Sequence, residues 1–248
     1  MLSNHKRPKQ NILTQSKLVS ANQSLLEVDR LLIYTNQGAS TISILQEFGL
    51  YSSDQIIKNP EQGTASAIFL FENMYLELVW IDDLNAAVQS SQKTGINLVN
   101  RVCWQETGAS PFAIGLRSKT NTKKLSLNEF SKKSPDQLLQ FSNKNLENES
   151  EPICFVVSQA LALSNWLDYD NPAHQKLLKH PSGVRKISNI CLGVKSPQQL
   201  SSSVSLLKNN NVIQLEEGKE PLLELTFDHD RKGETFDIRS VLPILLKF

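Results

Sequence analysis

Apolar and polar positions along the chain fall into short, well-separated periods. "VDRLLIYT" (28–35) has a continuous apolar run from Leu31 to Tyr34 and stops at "NQG", which predicts a strand closed by a turn. "ASTISILQEF" puts Thr41, Ile44, Leu45 and Phe48 on one helical face, with Gly49 placed to cap its end. A short strand near Leu50 to Ser52 comes next. Strands at 64–71 and 74–81, joined by a tight turn at Glu72 and Asn73, complete a β-α-β-β-β unit.

The C-terminal quarter carries the same rhythm. "ISNICLGV" (187–194) reads as a strand. "SPQQLSSSVSLLKNN" reads as a helix with Ser196 as N-cap, Pro197 at the first helical position and Gln199 completing a capping box. "LLELTFD" and "TFDIRS" read as strands around the turn "HDRKGE". The helix faces Thr41/Leu45/Phe48 and Leu200/Val204/Leu207 differ by 159 residues, as do Arg30 and Asn189 on the first strands. Glu77 and Asp237 on the last strands differ by 160. These offsets predict an internal duplication in which 27–81 and 186–240 are like modules.

Between the two units, "NLVNRVCW" and "SPFAIGLRS" read as strands, and "PICFVVSQALALS" resumes with a strand. Residues 118–151 are polar and rich in Ser, Asn and Lys, and read as a polar loop or insertion, either a mobile excursion or a weak helix within a loop. Residues 1–26 contain no Asp or Glu and several Lys and Arg, the composition of a disordered basic tail. A transit peptide would need a clearer amphipathic face. The expected organisation is thus a tail (1–26), a first module with following strands (27–117), a polar insertion (118–151) and a second module (152–248).

Composition narrows the function. The chain has 248 residues, 40% apolar and 21% charged, with a formal net charge of +1, so no global charge favours nucleic acid. No apolar run is long enough to span a membrane. Cys103, Cys154 and Cys191 sit far apart in apolar stretches and read as buried free thiols of a reducing, cytoplasmic protein. His5, His174, His180 and His229 show no metal-binding spacing, and there is no Gly-rich phosphate loop and no GxSxG.

One residue breaks the apolar pattern of the fourth strand. Glu77 lies inside "MYLELVW", and a carboxylate among apolar neighbours needs a partner, a proton or a metal ion. Tyr75 and Val79 share its face. Arg239 shares the face of Asp237. His180 is either an acid or base or a surface residue of a polar turn. Trp80, Trp104 and Trp166 read as core residues.

Several stretches taken in order resemble the glyoxalase-like domain proteins of the vicinal oxygen chelate superfamily. They are "VDRLLIYT", "QGTASAIFLFENMYLELVW", "SPFAIGLR", "HPSGV" (180–184) and "LTFDHDRKGETFDIRSVLPIL". The resemblance implies an α+β fold of paired β-α-β-β-β modules whose curved mixed sheets enclose a shared cleft. In the family's metal enzymes, His or Gln on first strands and Glu on last strands hold a divalent ion (Mn, Fe, Ni, Zn or Co) that acts as a Lewis acid. The matching positions here are Glu77 and Asp237 on last strands, and Arg30 and Asn189 on first strands. Arginine has no acceptor atom, so a metal set would shrink to Glu77, Asn189 and Asp237. A one-residue slip would bring in Asp29, which strict alternation puts on the opposite face. The expectation is therefore no metal, with an Arg30–Glu77 ion pair in the cleft. The resemblance implies a small-molecule ligand, a small oxygenated organic compound, that is bound or transformed by a lyase, isomerase or dioxygenase. The alternative is a metal-free sequestering or interaction module. No nucleic-acid or membrane partner is expected, and a homodimer is left open.

Overall fold

A computed structural model describes residues 25–53, 55–119 and 129–248. Most of the basic tail and the middle of 118–151 lie outside these residues. The fold is mixed α+β, with two mixed sheets of eight and five strands. Among the described residues, no helix is long and apolar enough to cross a membrane.

The first unit forms much as its pattern dictates. Strand β1 (Leu26–Tyr34) leads to α1 (Ser40–Glu47), which buries Thr41 and Leu45 and ends at Gly49 with φ 76°. Strands β3 (Thr64–Leu70) and β4 (Tyr75–Ile81) form a hairpin closed by Phe71 N–H to Met74 O at 2.9 Å. The short strand between helix and hairpin is β2 (Ile57–Asn59), an exposed segment, and not Leu50–Ser52. Helix α2 (Leu84–Thr94) follows, capped by the Asp83 carboxylate on Ala86 N–H (3.1 Å) and by Gly95 at φ 74°.

Several elements differ from expectation. Residues 97–104 are helical, not extended: α3 (Leu98–Val102) is capped by Asn97, and α4 (Trp104–Thr107) follows. Strand β5 (Phe112–Ser118) forms as expected. The polar excursion yields structure, with β6 (Lys132–Lys133), β7 (Leu139–Phe141) and α5 (Asn143–Leu146) burying Phe130, Phe141 and Leu146. Strand β8 (Ile153–Val157) opens the "PICFVVSQALALS" stretch as expected. A 3-10 turn at Gln159–Leu161, α6 (Leu163–Trp166) and α7 (Pro172–Leu177) take over. The last region has β9 (Ile187–Val194), α8 (Ser202–Asn209), β10 (Gln214–Glu217), β11 (Leu222–Phe227), β12 (Thr235–Asp237) and β13 (Ile244–Lys247).

Strand order corrects where the repeat lies. In the eight-stranded sheet, β1 pairs parallel with β4, β4 antiparallel with β3, and β3 antiparallel with β2. Strand β5 pairs parallel with β8, β8 antiparallel with β7, and β7 antiparallel with β6. The two halves share one topology and meet at the antiparallel β1–β5 pair. The five-stranded sheet runs β10-β9-β11-β13-β12, so its first strand pairs with the strand after the helix and never with its last. Residues 27–81 and 186–240 are therefore not superimposable modules. Periodicity fixes element type and buried face but not neighbours in a sheet, and the 159-residue offset reflected only the former.

One face of the eight-stranded sheet (Leu31, Ile33, Leu76, Leu78, Ile114, Cys154) packs in a continuous core with α1 and with Ile190, Leu192, Leu225 and Leu246 of the five-stranded sheet. The other face carries the candidate site.

Candidate functional site

On β1, alternation would send neighbouring side chains to opposite faces. The β1–β5 register shifts between Val28 and Arg30, marking a bulge at Asp29. Val28 and Leu31 both point into the main core. Asp29 and Arg30 consequently lie on the same, opposite face, where the one-residue slip and the unshifted register are satisfied together.

These two residues build a charged knot. Asp29 is fully buried, and its Oδ1 accepts from Arg30 Nε (2.8 Å). Its Oδ2 accepts from Arg117 Nη1 (3.1 Å) and from the Leu163 N–H (2.7 Å). Arg117 also pairs with Glu27 (2.6 Å) and donates to Asn73 O (2.9 Å). Arg30 Nη2 donates to Leu161 O (2.7 Å), and its guanidinium lies 4.7 Å from the Tyr75 ring centroid. Gly115 makes room for this arrangement, since a Cβ there would sit 2.6 Å from Arg30 Cγ.

Glu77 shares the face of Tyr75 and Val79. Arg30 spends its ion pair on Asp29 and comes no closer than 4.0 Å to Glu77, so the expected Arg30–Glu77 salt bridge does not form. The bulge explains this, because it brings a carboxylate directly beside the guanidinium. Glu77 is left half-buried among apolar side chains with no ion-pair partner among the described residues. Burial pushes its carboxyl pKa above the ordinary value, while the Ser66 hydroxyl and the Arg30 charge pull the other way. Burial also raises Tyr34 to about 12, with the Arg101 charge opposing and the Glu77 charge adding, and it raises Tyr75 further. Arg101 lies under this face, 2% exposed, held by Ser110 O (2.8 Å) and Glu151 O (3.0 Å).

The remaining candidates are elsewhere. Asn189 is on β9 of the five-stranded sheet and donates to Gln214 Oε1 (3.2 Å). Asp237 is exposed on β12, and its pairing with Arg239 (2.9 and 3.0 Å from Nε) lowers its pKa to about 2. His180 is buried, stacked on Phe71 at 4.5 Å. Its Nδ1 accepts from Tyr51 N–H (2.8 Å), so Nε2–H donates to Leu70 O (3.0 Å), and it joins segments of the fold instead of facing a cleft. Trp80 is buried, Trp104 is half-buried and Trp166 is 37% exposed, so the last is not a core residue.

The donors do not suit the divalent ion that the family resemblance implies. Glu77, Asn189 and Asp237 are spread over two sheets. Both oxygens of Asp29 are occupied by cations or N–H donors, and a guanidinium occupies the first-strand position.

Arg117, Ser66, Tyr34 and Arg101 were not singled out from the sequence, and Asp29 entered only as the residue that a one-residue slip would bring in. A usable signal existed for two of them. Asp29 and Arg117 are charges placed within otherwise apolar strand runs, as Glu77 is.

The chain is similar in fold to a solved protein. A hypothetical protein from Staphylococcus aureus superimposes with TM-score 0.54 and 13% identity, over 89% of this chain and 98% of that one. A methylmalonyl-CoA epimerase matches 55% of this chain and 97% of its own, with 14% identity and TM-score 0.33, too low to argue from. No protein-family model and no curated protein sequence matches the chain.

Proposed function

We propose that the chain is a glyoxalase-like protein that holds a small oxygenated organic compound on the β1–β4 face around Glu77, without a metal ion. The observation that carries this reading is the Glu77 carboxyl itself. It is half-buried on an apolar sheet face, has no counter-charge within 4.0 Å, and has a raised pKa. Perturbed groups of this kind gather at functional sites. A carboxyl held protonated can donate to a ligand carbonyl, and when ionised it can accept from a hydroxyl. The Arg30 guanidinium, held by Asp29, Leu161 O and Tyr75, keeps a positive charge on the same face for a second ligand oxygen. Support for the family comes from the two side-by-side units of one topology in the eight-stranded sheet.

A second reading, an interaction module whose cleft is filled by its own side chains, has one observation in its favour. Tyr34, Val79, Ala113 and Phe155, all on the cleft face, are buried in one cluster with Leu98 and Val102 of α3.

A panel of small 2-oxo acids, 2-hydroxy acids and 1,2-dicarbonyls, screened by thermal shift with and without chelator, separates these readings. We expect a ligand that raises Tm equally in both conditions and loses its effect in Glu77→Ala. A ligand that binds only with added Mn, Fe, Ni, Zn or Co, and is lost on Glu77→Ala, would overturn the metal-free reading. Absence of any ligand in the panel would favour the filled-cleft reading.

A further inference from the structure

The turn "HDRKGE" has no part in the Glu77 site, yet it closes a separate cavity. We propose that the cavity between residues 183–188 and the 227–232 loop binds a compact, multiply charged anion of the phosphate type. Its volume is about 540 Å3, and Arg185 and Lys186 face it from one side and Arg231 and Lys232 from the other.

The acids lining this cavity are already committed. Glu72 pairs with Arg185 (2.5 Å) and lies 3.4 Å from Lys186. The Asp228 carboxylate accepts from the backbone N–H groups of Arg185 (2.8 Å) and Lys186 (3.1 Å), so it shapes the segment and offsets one of the four cations. Arg231 has no ion-pair partner among the described residues. Lys232 Nζ donates to a carbonyl, Ser182 O, and lies 5.8 Å from the Phe248 ring centroid. Four cationic side chains thus face two acidic ones, Glu72 and Asp228. The surplus is local, because the whole chain carries only +1.

The backbone holds this surplus in place against its own preferences. Asp228, His229 and Asp230 take φ values of 46°, 65° and 56° in succession, a left-handed run without glycine. Asp and His tolerate that region better than most residues, but L-residues disfavour it. The run turns the chain back so that Arg231 and Lys232 meet Arg185 and Lys186 across one cavity. Like charges converging in a concave site repel each other unless an anion sits between them, and phosphate groups are the usual match for such Arg and Lys clusters.

Calorimetric titration with inorganic pyrophosphate at low salt tests the proposal, with NMR shifts locating the site. We expect saturable binding that weakens as salt rises and is tighter than binding of orthophosphate. The double variant Arg231→Ala/Lys232→Ala should weaken it by about tenfold or more. Both residues are exposed, so the fold should be retained, which circular dichroism checks. Lys93→Ala, at the end of α2, should leave binding unchanged. The proposal is overturned by no saturable binding at millimolar pyrophosphate, by equal affinity in the double variant, or by an equal loss in Lys93→Ala. Citrate binding as tightly as pyrophosphate would overturn the phosphate assignment. A nucleic-acid duplex that competes with pyrophosphate and binds more tightly would overturn the small-anion assignment.

Discussion

Glu77 stands out in the sequence because it breaks an apolar strand, but its partner could not be read there. The sequence pointed to Arg30, and the β1 bulge gave that arginine to Asp29. A bulge is one residue's departure from alternation and leaves no mark in hydrophobic period. The consequence is measurable through pH linkage. Burial raises the folded-state pKa of Glu77 above its ordinary 4.5. Below the unfolded value both states are protonated and the full stability is present. As pH rises to the folded value, the unfolded state ionises first and stability is lost. Glu77→Gln should remove that loss. Chemical denaturation should show the two proteins alike in acid and the variant more stable towards neutral pH. A gap that stays constant with pH would mean that Glu77 ionises freely in the fold. His180 runs the other way, because burial lowers its pKa below the ordinary 6.5. The stability it contributes is present above 6.5 and lost as pH falls through the folded value. Imidazole nitrogen NMR should show the Nε2–H tautomer, with protonation only below the ordinary range. An Nδ1–H tautomer would contradict the Tyr51 contact.

Among the elements, those set by local signals were legible and those set by distant partners were not. Helix α1 and the β3–β4 hairpin follow from their own residues. Helix α8 starts five residues after the Ser196 capping box predicts, because its N-terminus is settled by a residue about fifty positions upstream. The buried Glu151 carboxylate accepts from Ser201 N–H (2.7 Å) and Ser201 Oγ (2.5 Å). Asn145 and Asn148 donate to it at 3.1 Å each. A negative group at a helix start meets unpaired N–H donors and the positive end of the helix dipole. The same contact explains why the polar stretch read as an excursion is ordered over 129–150: its polar residues bond to one another and to α8. Glu151→Ala should cost about 1–3 kcal/mol in urea denaturation, since four donors lose a charged acceptor and Ser201 N–H and Asn148 are left without this partner. Hydrogen exchange should speed up in both 143–148 and 202–209. A loss confined to one of these segments would show that the carboxylate does not couple them.

At the scale of the whole molecule, the α+β class and the presence of strand–helix–strand units were legible, whereas the placement of the repeat was not. The second half of the eight-stranded sheet, β5 to β8, hid behind a polar sequence with two very short strands, β6 and β7. Its strand order is visible only through pairing. The two sheets share one core, and a small polar seam aligns them. The Asn73 side chain, in the β3–β4 turn, donates to Ile187 O (2.8 Å) and accepts from Ile187 N–H (3.2 Å), reading both backbone groups at the start of β9. Glu72 N–H donates to Arg185 O (3.0 Å), and Arg117 from the Asp29 knot donates to Asn73 O (2.9 Å). The turn thus connects the charged knot on one face of the eight-stranded sheet to the first strand of the five-stranded one. Because Leu76 and Leu78 pack in the same core as Ile190 and Leu225, separating the sheets would expose apolar surface on both. We therefore expect a single cooperative unfolding transition seen equally by probes in either sheet. Asn73→Ala should lower its stability by about 1–3 kcal/mol, because two buried backbone groups lose their partners, without splitting the transition. Two transitions in the wild type, or a variant in which only the five-stranded sheet loses hydrogen-exchange protection, would show that the sheets fold as separate units joined by a dispensable seam.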